Sequence, residues 1–201
     1  MEYLVAMSTN VPDGTSRATV DDVRAREAEH SRELAAQGHL LRLWRPPLQP
    51  GEWRTLGLFA AGTALELEDV LASMPLRIWR SDEVTPLSPH PNDPRRARPP
   101  DATPEFFVGY TIAVPDGTPA HVVEELKARE AERVRELAEQ ERVLRLWRPP
   151  AAPGEWRGLG LWRASDAAAL TTGVASLPLY VWFTTEITPL SPHPGDPAAA
   201  P

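Results

Sequence analysis

The sequence predicts an α+β protein made of two ferredoxin-like domains, each with the element order βαββαβ. The chain repeats itself without a gap at an offset of 103 residues, from Glu2 and Glu105 to His90 and His193, and roughly half of the aligned positions are identical. Within each copy the hydrophobic period changes in the order strand, helix, strand, strand, helix, strand. The chain is therefore a tandem duplication of one domain of about 90 residues.

The first half of each copy combines a strand with a long helix. Residues 2–9 and, more clearly, EFFVGYTIAV at 105–114 are apolar and β-prone, and both segments end at a PDG turn signal. Residues 15–37 and 118–140 are rich in Ala, Glu, Arg and Leu at helical spacing. We expect a strand followed by a long helix in both copies.

The second half of each copy predicts a hairpin, a shorter helix and a last strand. LLRLWRP and VLRLWRP are strand-like, PGEW is typical of a hairpin connection, and RTLGLFA and RGLGLWR are the return strands. A second helix over 65–74 and 167–177 ends where Pro75 and Pro178 follow. RIWRSDEVTPL and YVWFTTEITPL, at 77–87 and 180–190, complete the two copies as strands.

The predicted domains are residues 1–90 and 105–193. Residues 91–104 are rich in Pro and charge and favour a semi-extended linker, and residues 194–201 favour a disordered tail of the same character. Two helices cover one face of such a sheet and leave the other face in need of a partner. We expect the two repeats to associate as an internal pseudo-dimer, like a dimeric α/β barrel; a higher homo-oligomer remains open.

Composition narrows the classes of function. The net charge of -7 and the lack of a Lys/Arg run argue against nucleic acid as a partner. The apolar runs are too short for a membrane span, and the N-terminus lacks a signal-peptide pattern. Zero cysteines exclude disulfides and thiolate catalysis, and this composition favours a cytoplasmic location. His90 and His193 are the only histidines present in both copies, and we find no second ligand at metal-ligand spacing from them, so no metal or other cofactor is expected.

A glutamate of the long helix is the main candidate for chemistry. At about 100° per residue, Glu130 lies in the middle of an apolar stripe, and Glu27 holds the same place in the first copy. Burial disfavours the ionised form of a carboxyl and raises its pKa toward the range of a general base or acid. The alternative is a carboxylate at the edge of the buried stripe that only pairs with an arginine.

Other candidates surround this glutamate. Arg24 and Lys127 lie three residues before it and either form helix surface pairs or hold an anionic substrate. Period-two alternation places the first arginine of each RLWR on the face of the Trp and the second on the opposite face. The strand residues of interest are Arg42, Trp44, Arg45, Arg145, Trp147 and Arg148. The two Trp residues are either core aromatics or substrate platforms, and His90 and His193 are either tail residues or site residues.

The order of these motifs resembles the muconolactone Δ-isomerase family. The resemblance rests on REAE in the long helix, the strand ending LWR, the hairpin, MPL or LPL after the second helix, and HP in the tail. It covers each whole copy. It implies the ferredoxin-like fold and a cofactor-free isomerisation of muconolactone to 3-oxoadipate enol-lactone in aromatic compound catabolism. It also implies subunits that assemble into decamers built from dimers.

Carried over by position, the resemblance implies that Glu27 and Glu130 are the active-site glutamates, each with a basic residue, Arg24 or Lys127, one turn earlier. The Arg-His pair that precedes LW in the family is Leu-Arg here, at 41–42 and 144–145. The aromatic, Pro-containing stretch after LPL is RIWR in one copy and YVWF in the other. These departures concern the substrate more than the fold.

The hypothesis is a cofactor-free isomerase that shifts a proton α to the carbonyl of a lactone or small organic acid. Glu27 and Glu130 would be the catalytic base and acid. Arg24, Lys127, Arg42, Arg145, Trp44 and Trp147 would bind the substrate. Two alternatives stay open: an isomerase or cyclase of specialised, polyketide-like metabolism, and a non-catalytic binding or assembly module. Divergence between the copies, such as Arg77 and Arg80 against Tyr180 and Phe183, is compatible with one active pocket.

Overall fold

The computed structural model describes residues 1–99 and 101–199 and divides them into two compact units. Unit 1 consists of residues 1–87 together with the described part of 191–201, and unit 2 consists of residues 88–190. Both units have the predicted βαββαβ order, so the ferredoxin-like fold class is confirmed. No helix of the described residues combines the length and the apolar character that crossing a bilayer requires.

In unit 1 the strands are β1 (Glu2–Thr9), β2 (Leu40–Arg45), β3 (Arg54–Ala60) and β4 (Arg80–Pro89), of which the last two residues belong to unit 2. The helices are α1 (Arg17–Ala36) and α2 (Ala64–Ser73). β1 lies between β3 and β4, β2 pairs with the other edge of β3, and all pairs are antiparallel. Ser191 and Pro192 pair with β2 at its outer edge.

Unit 2 repeats this order with β5 (Glu105–Ile112), β6 (Val143–Arg148), β7 (Trp156–Arg163) and β8 (Phe183–Pro192), of which the last two residues belong to unit 1. Its helices are α3 (Ala120–Glu139) and α4 (Ala167–Ala175). β5 lies between β7 and β8, and β6 pairs with β7. Ser88 and Pro89 pair with the outer edge of β6.

Local sequence explains where α1, α2 and α4 begin. Ser16 accepts a hydrogen bond from the Thr19 N–H at 3.1 Å and caps α1. Thr63 and Asp166 cap the shorter helices in the same way, by accepting from the N–H three residues ahead. These caps satisfy N–H groups that have no partner inside a helix. The central strands then pack against the helices, and Val5 of the first and Val108 of the second are fully buried.

The last strands begin later than predicted. A short 3₁₀ helix follows each second helix, at Pro75–Trp79 and Pro178–Trp182, and the strands start at Arg80 and Phe183. Proline at the first position fixes a helical φ and loses no hydrogen bond there, which favours this turn. The turn leaves the N–H groups of Leu76 and Leu179 unpaired within its own backbone, and both donate to a glutamate.

The described part of the segment predicted as a disordered tail, residues 194–199, belongs to unit 1, and residues 200 and 201 lie outside the described residues. Asp196 has an almost fully buried side chain and accepts hydrogen bonds at 3.1 Å from Arg42 Nε, Arg42 Nη2 and the Leu43 N–H. Asp93, within the predicted linker, does the same in unit 2 with Arg145 and the Leu146 N–H. A buried ion pair with backbone bonds holds each segment in place, and a compositional argument does not detect such a pair.

Replacing Asp196 by Ala is expected to lower the free energy of unfolding by about 3 kcal/mol or more, because the buried Arg42 guanidinium loses its counter-charge. Urea denaturation of the full chain measures this change. Asp21→Ala is the control, since its pair with Arg17 is exposed and its effect is expected to stay within about 0.5 kcal/mol. A loss for Asp196→Ala no larger than that of the control would contradict this account of the tail.

Candidate functional site

Each unit contains a cavity beside the glutamate of its long helix. The unit 2 cavity has a volume of about 610 Å³ and includes Glu130 in its lining, and the unit 1 cavity has about 550 Å³ and includes Glu27. Both volumes are in the range of small-molecule sites. The helical period therefore identified two side chains that lie inward beside open space.

Glu130 is buried, and its carboxylate accepts one hydrogen bond. Its Oε2 accepts from the Leu179 N–H at 2.9 Å, and no basic side chain of residues 1–99 or 101–199 forms an ion pair with it. Burial raises the pKa of Glu130 to about 7, against the lowering effect of the Leu179 hydrogen bond. Near neutral pH this carboxyl is thus present in both protonation states, which suits a group that takes up and returns a proton.

Glu27 has the same backbone bond but a charged neighbour. Its Oε2 accepts from the Leu76 N–H at 2.8 Å, and its Oε1 accepts from Arg80 Nη1 at 3.2 Å. Burial raises the pKa of Glu27, while the Leu76 hydrogen bond and the Arg80 charge act in the opposite direction. Arg80 is also bound to Asp82, with Nε to Oδ1 at 2.6 Å. Glu27 therefore belongs to a buried ion network.

The sequence difference behind this contrast is small. Position 183 in unit 2 corresponds to Arg80 and holds Phe, and position 185 corresponds to Asp82 and holds Thr. Unit 2 therefore lacks both the guanidinium and its aspartate partner, and Glu130 is left as a buried carboxyl without a counter-charge among the described residues. The alternative interpretation, a glutamate paired with an arginine, applies to unit 1, whereas unit 2 matches the description of a desolvated carboxyl beside a cavity.

The basic residues one turn earlier line the same cavities. The Arg24 guanidinium lies 5.4 Å from the ring centre of Trp53, and the Lys127 ammonium lies 4.6 Å from that of Trp156. Each pair places a cation on an indole face at the cavity. The two Trp residues belong to the PGEW segments. From the sequence, PGEW is predicted only as a hairpin connection, and a cavity-lining position of its Trp is not predicted.

Of the four substrate-binding candidates on the RLWR strands, only Trp147 is among the residues that line the two cavities. Arg42 and Arg145 pair with Asp196 and Asp93 and lie over Trp44 and Trp147 at 4.6 and 4.8 Å. Neither arginine is among the described cavity-lining residues, and neither is Trp44; Trp147 does line the unit 2 cavity. The opposite strand face supplies the cations instead, because Arg45 and Arg148 line the cavities.

Both repeated histidines line cavities. His90 Nδ1 accepts from the Asn92 N–H at 3.1 Å, and His193 Nδ1 accepts from the Gly195 N–H at 3.0 Å. Burial, together with the nearby Arg148 charge, lowers the pKa of His90 to about 4, and burial lowers that of His193. A neutral ring that accepts at Nδ1 carries its proton on Nε2. Each histidine is therefore a neutral hydrogen-bond donor at neutral pH.

The arrangement contains the parts of a proton-transfer site. No group of three His, Cys, Asp or Glu side chains that could hold a metal ion occurs in the described part of the chain. In unit 2, a desolvated carboxyl, an ammonium on an indole and a neutral imidazole line one cavity. These groups supply a base, a positive charge and a hydrogen-bond donor.

Comparison with known proteins gives a consistent result for both copies. The family model described as muconolactone delta-isomerase matches residues 1–93 and 105–196. The muconolactone delta-isomerase of Cupriavidus pinatubonensis is 35% identical over 95 residues, which cover 47% of this chain and 100% of that protein. A muconolactone delta-isomerase of Acinetobacter lwoffii is 33% identical over 95 residues, covering 47% and 96%.

Solved structures extend the likeness of fold to the full length. A putative chlorite dismutase, TA0507, matches with a TM-score of 0.58 and 13% identity over 99% of this chain and 98% of that chain. A heme-binding protein of Thermus thermophilus matches with a TM-score of 0.57 and 15% identity over 97% and 93%. At these identities the likeness concerns the fold alone.

Glu130→Gln is expected to stabilise the protein above neutral pH. The folded-state pKa of about 7 lies above the ordinary glutamate value of 4.5, so folding is favoured by protonation and loses stability as pH rises from about 4.5 to 7. Removing the charge abolishes that loss, which is at most about 3 kcal/mol. Thermal melting from pH 4 to about 9 measures it. Glu132→Gln, at an exposed position on the same helix, is the control, and equal melting profiles of Glu130→Gln and the unmodified chain would contradict the assignment.

Proposed function

Because the chain belongs to the muconolactone delta-isomerase family, we propose that it is a cofactor-free isomerase that shifts a proton α to the carbonyl of a lactone or related small organic acid. The single observation that carries the proposal is Glu130, a buried carboxyl without an ion-pair partner among the described residues, beside a cavity of about 610 Å³. A muconolactone-like compound is the proposed substrate class.

The proposed reaction is a 1,3-proton shift in unit 2. Ionised Glu130 removes a proton from the γ-carbon of the α,β-unsaturated carbonyl unit, and the electron pair of that C–H bond delocalises through the C=C bond into a dienolate. The protonated Glu130 then returns the proton to the far carbon, so the product has the composition of the substrate. The carboxyl ends in its starting state, and no electron acceptor or second reactant is consumed.

The cations of the cavity fit an anionic substrate. The Lys127 ammonium is held on Trp156 at 4.6 Å, and Arg148 lines the same cavity, so both can contact a carboxylate group of the ligand. The neutral His90, fixed through Nδ1, offers its Nε2–H as an uncharged donor. A positively charged imidazolium there would favour the ionised form of Glu130, whereas a neutral ring only orients the ligand.

Unit 1 is proposed to contribute little turnover. An ion pair stabilises the charged form of Glu27, and Arg80 would have to release the carboxylate before it accepts a proton from carbon. The cavity of unit 1 nevertheless retains Arg24, Arg45 and His193. We infer that catalysis is divided unequally between the copies, with Glu130 as the principal base and acid.

A larger, flat carbonyl compound is the second candidate substrate class. Among the described residues, the aromatic side chains that line the unit 2 cavity are Tyr110, Trp147, Trp156, Trp162 and Phe183. Aromatic faces favour extended ring systems, as in isomerases or cyclases of polyketide-like metabolism. Competition assays separate the two substrate classes. If a tricyclic hydroxyketone inhibits muconolactone turnover at a lower concentration than a simple lactone does, the larger substrate class is favoured.

Glu130→Gln is expected to lower muconolactone turnover by about 10²-fold or more, whereas Glu27→Gln lowers it by less than about twofold. Both variants remove one carboxylate from the same helix position and keep an acceptor for the Leu N–H, so they are matched controls for each other. Turnover is measured spectrophotometrically with purified full-length chains. An unchanged rate for Glu130→Gln rejects the base, and absence of turnover in all chains favours a binding module.

The pH dependence tests the same group independently. Since the base must be ionised, kcat/KM is expected to rise with pH and to level off above about 7, following the Glu130 carboxyl. If His90 were the base, the rise in kcat/KM would instead lie near pH 4, because the pKa of His90 is about 4. A profile that is flat between pH 5 and about 9, with Glu130→Gln inactive, would show that Glu130 acts without titrating.

A further inference from the structure

Three positions that line the unit 2 cavity hold residues of a different kind in unit 1. Unit 1 has Met7, Phe59 and Arg80; unit 2 has Tyr110, Trp162 and Phe183 at the corresponding places. The unit 2 residues are in mutual contact. The Trp162 indole N–H donates to the Tyr110 hydroxyl oxygen, and the Tyr110 and Phe183 rings have centroids 5.2 Å apart. The cavity whose glutamate lacks an ion-pair partner among the described residues thus also has a hydroxyl that the other cavity lacks at this position.

Close packing fixes this hydroxyl in place. A Cβ on Gly160 of β7 would lie 2.5 Å from both the Trp162 Nε1 and the Tyr110 oxygen, so the hydrogen bond needs a glycine there. The Tyr110 and Trp162 side chains are buried, and both line the cavity. The hydroxyl is therefore held by a donor behind it and by a ring beside it, with little freedom to turn away.

The hydroxyl still has its own proton to donate. The indole has only an N–H, so Tyr110 is the acceptor in their bond. No protein acceptor for the Tyr110 hydroxyl proton occurs among the described residues, although Glu130 lines the same cavity. A buried O–H without an acceptor is costly unless a ligand or water completes it. The Tyr110 hydroxyl proton is therefore available to a ligand in the cavity.

We propose that the Tyr110 hydroxyl is a catalytic hydrogen-bond donor to the enolate oxygen formed when Glu130 removes the proton from carbon. This proposal rests on the function proposed above and adds the group that stabilises the charge of its intermediate. The substrate carbonyl oxygen would lie against Tyr110, and its α-carbon would lie toward Glu130. Unit 1 has Met7 in place of this donor.

The surroundings suit a donor that stays neutral. Burial raises the pKa of Tyr110 above its ordinary value, and the neighbouring Glu130 charge acts in the same direction. The hydroxyl therefore keeps its proton across the working pH range. A preorganised donor in a dry site stabilises developing negative charge more than water does, because its dipole is already oriented when the charge appears.

Tyr110→Phe and Trp162→Phe break the same hydrogen bond but leave different groups. The first removes the hydroxyl and keeps the ring against Phe183; the second keeps the hydroxyl and introduces the residue that unit 1 has as Phe59. Tyr110→Phe is expected to lower kcat about 10²-fold with KM within about threefold, and Trp162→Phe to lower kcat by less than about tenfold. Melting temperatures report the structural loss that both variants share.

Equal falls in kcat for the two variants, or a kcat for Tyr110→Phe within threefold of the unmodified chain, would overturn the proposal. Glu130→Gln, assayed alongside, separates this failure from that of the proposed function, since only the latter leaves Glu130→Gln fully active. A second measurement needs no turnover.

Ionised 4-nitrophenolate presents an oxyanion on a flat ring, and its binding is followed by absorbance. The unmodified chain and Glu130→Gln are expected to bind it at least about tenfold more tightly than Tyr110→Phe, because only Tyr110→Phe lacks the donor. Equal dissociation constants for all three chains, or no binding to the unmodified chain at millimolar probe, would overturn the proposal even if muconolactone is not the substrate.

Discussion

The hydrogen bond from the first free N–H of a 3₁₀ turn to a helix glutamate is the constraint on which the site depends. The Leu76–Glu27 and Leu179–Glu130 bonds, at 2.8 and 2.9 Å, join α1 and α3 to the segment after the second helix. Each bond gives a buried carboxylate one partner without neutralising it. The result is a carboxyl held away from water beside a cavity, and the neighbouring residues decide how readily it ionises.

The two repeats surround that carboxyl with different groups of interacting residues, an ion network in unit 1 and an aromatic cluster in unit 2. In unit 1, Arg80 binds Glu27 and Asp82, and Asp82 also binds Arg77. In unit 2, the positions that correspond to Arg77, Arg80 and Asp82 hold uncharged residues, and an aromatic cluster with a Trp–Tyr hydrogen bond fills the space. Removing Arg80 alone would leave Glu27 without a counter-charge and Asp82 with Arg77 as its remaining partner, whereas unit 2 keeps the glutamate and lacks the other three charges.

Much of the fold was predictable from the sequence because the repeat and the hydrophobic periods are local signals. The inward direction of Glu27 and Glu130 follows from α-helical geometry alone. The roles of Arg42 and Arg145 did not follow, since their partners Asp196 and Asp93 lie about 50 or more residues away in segments that composition assigns to a linker and a tail. The side of the strand that faces the cavity likewise depends on tertiary packing.

The short segments after the last strands are as much part of the sites as the helices. His90 and Asp93 belong to unit 2, and His193 and Asp196 belong to unit 1, which the chain reaches only after completing unit 2. In each unit one aspartate binds an arginine and the N–H of the following strand residue, and thereby fixes a histidine three residues earlier at the cavity. The HP motif is thus repeated because both cavities need that short segment, and neither cavity is complete within one copy of the duplicated sequence.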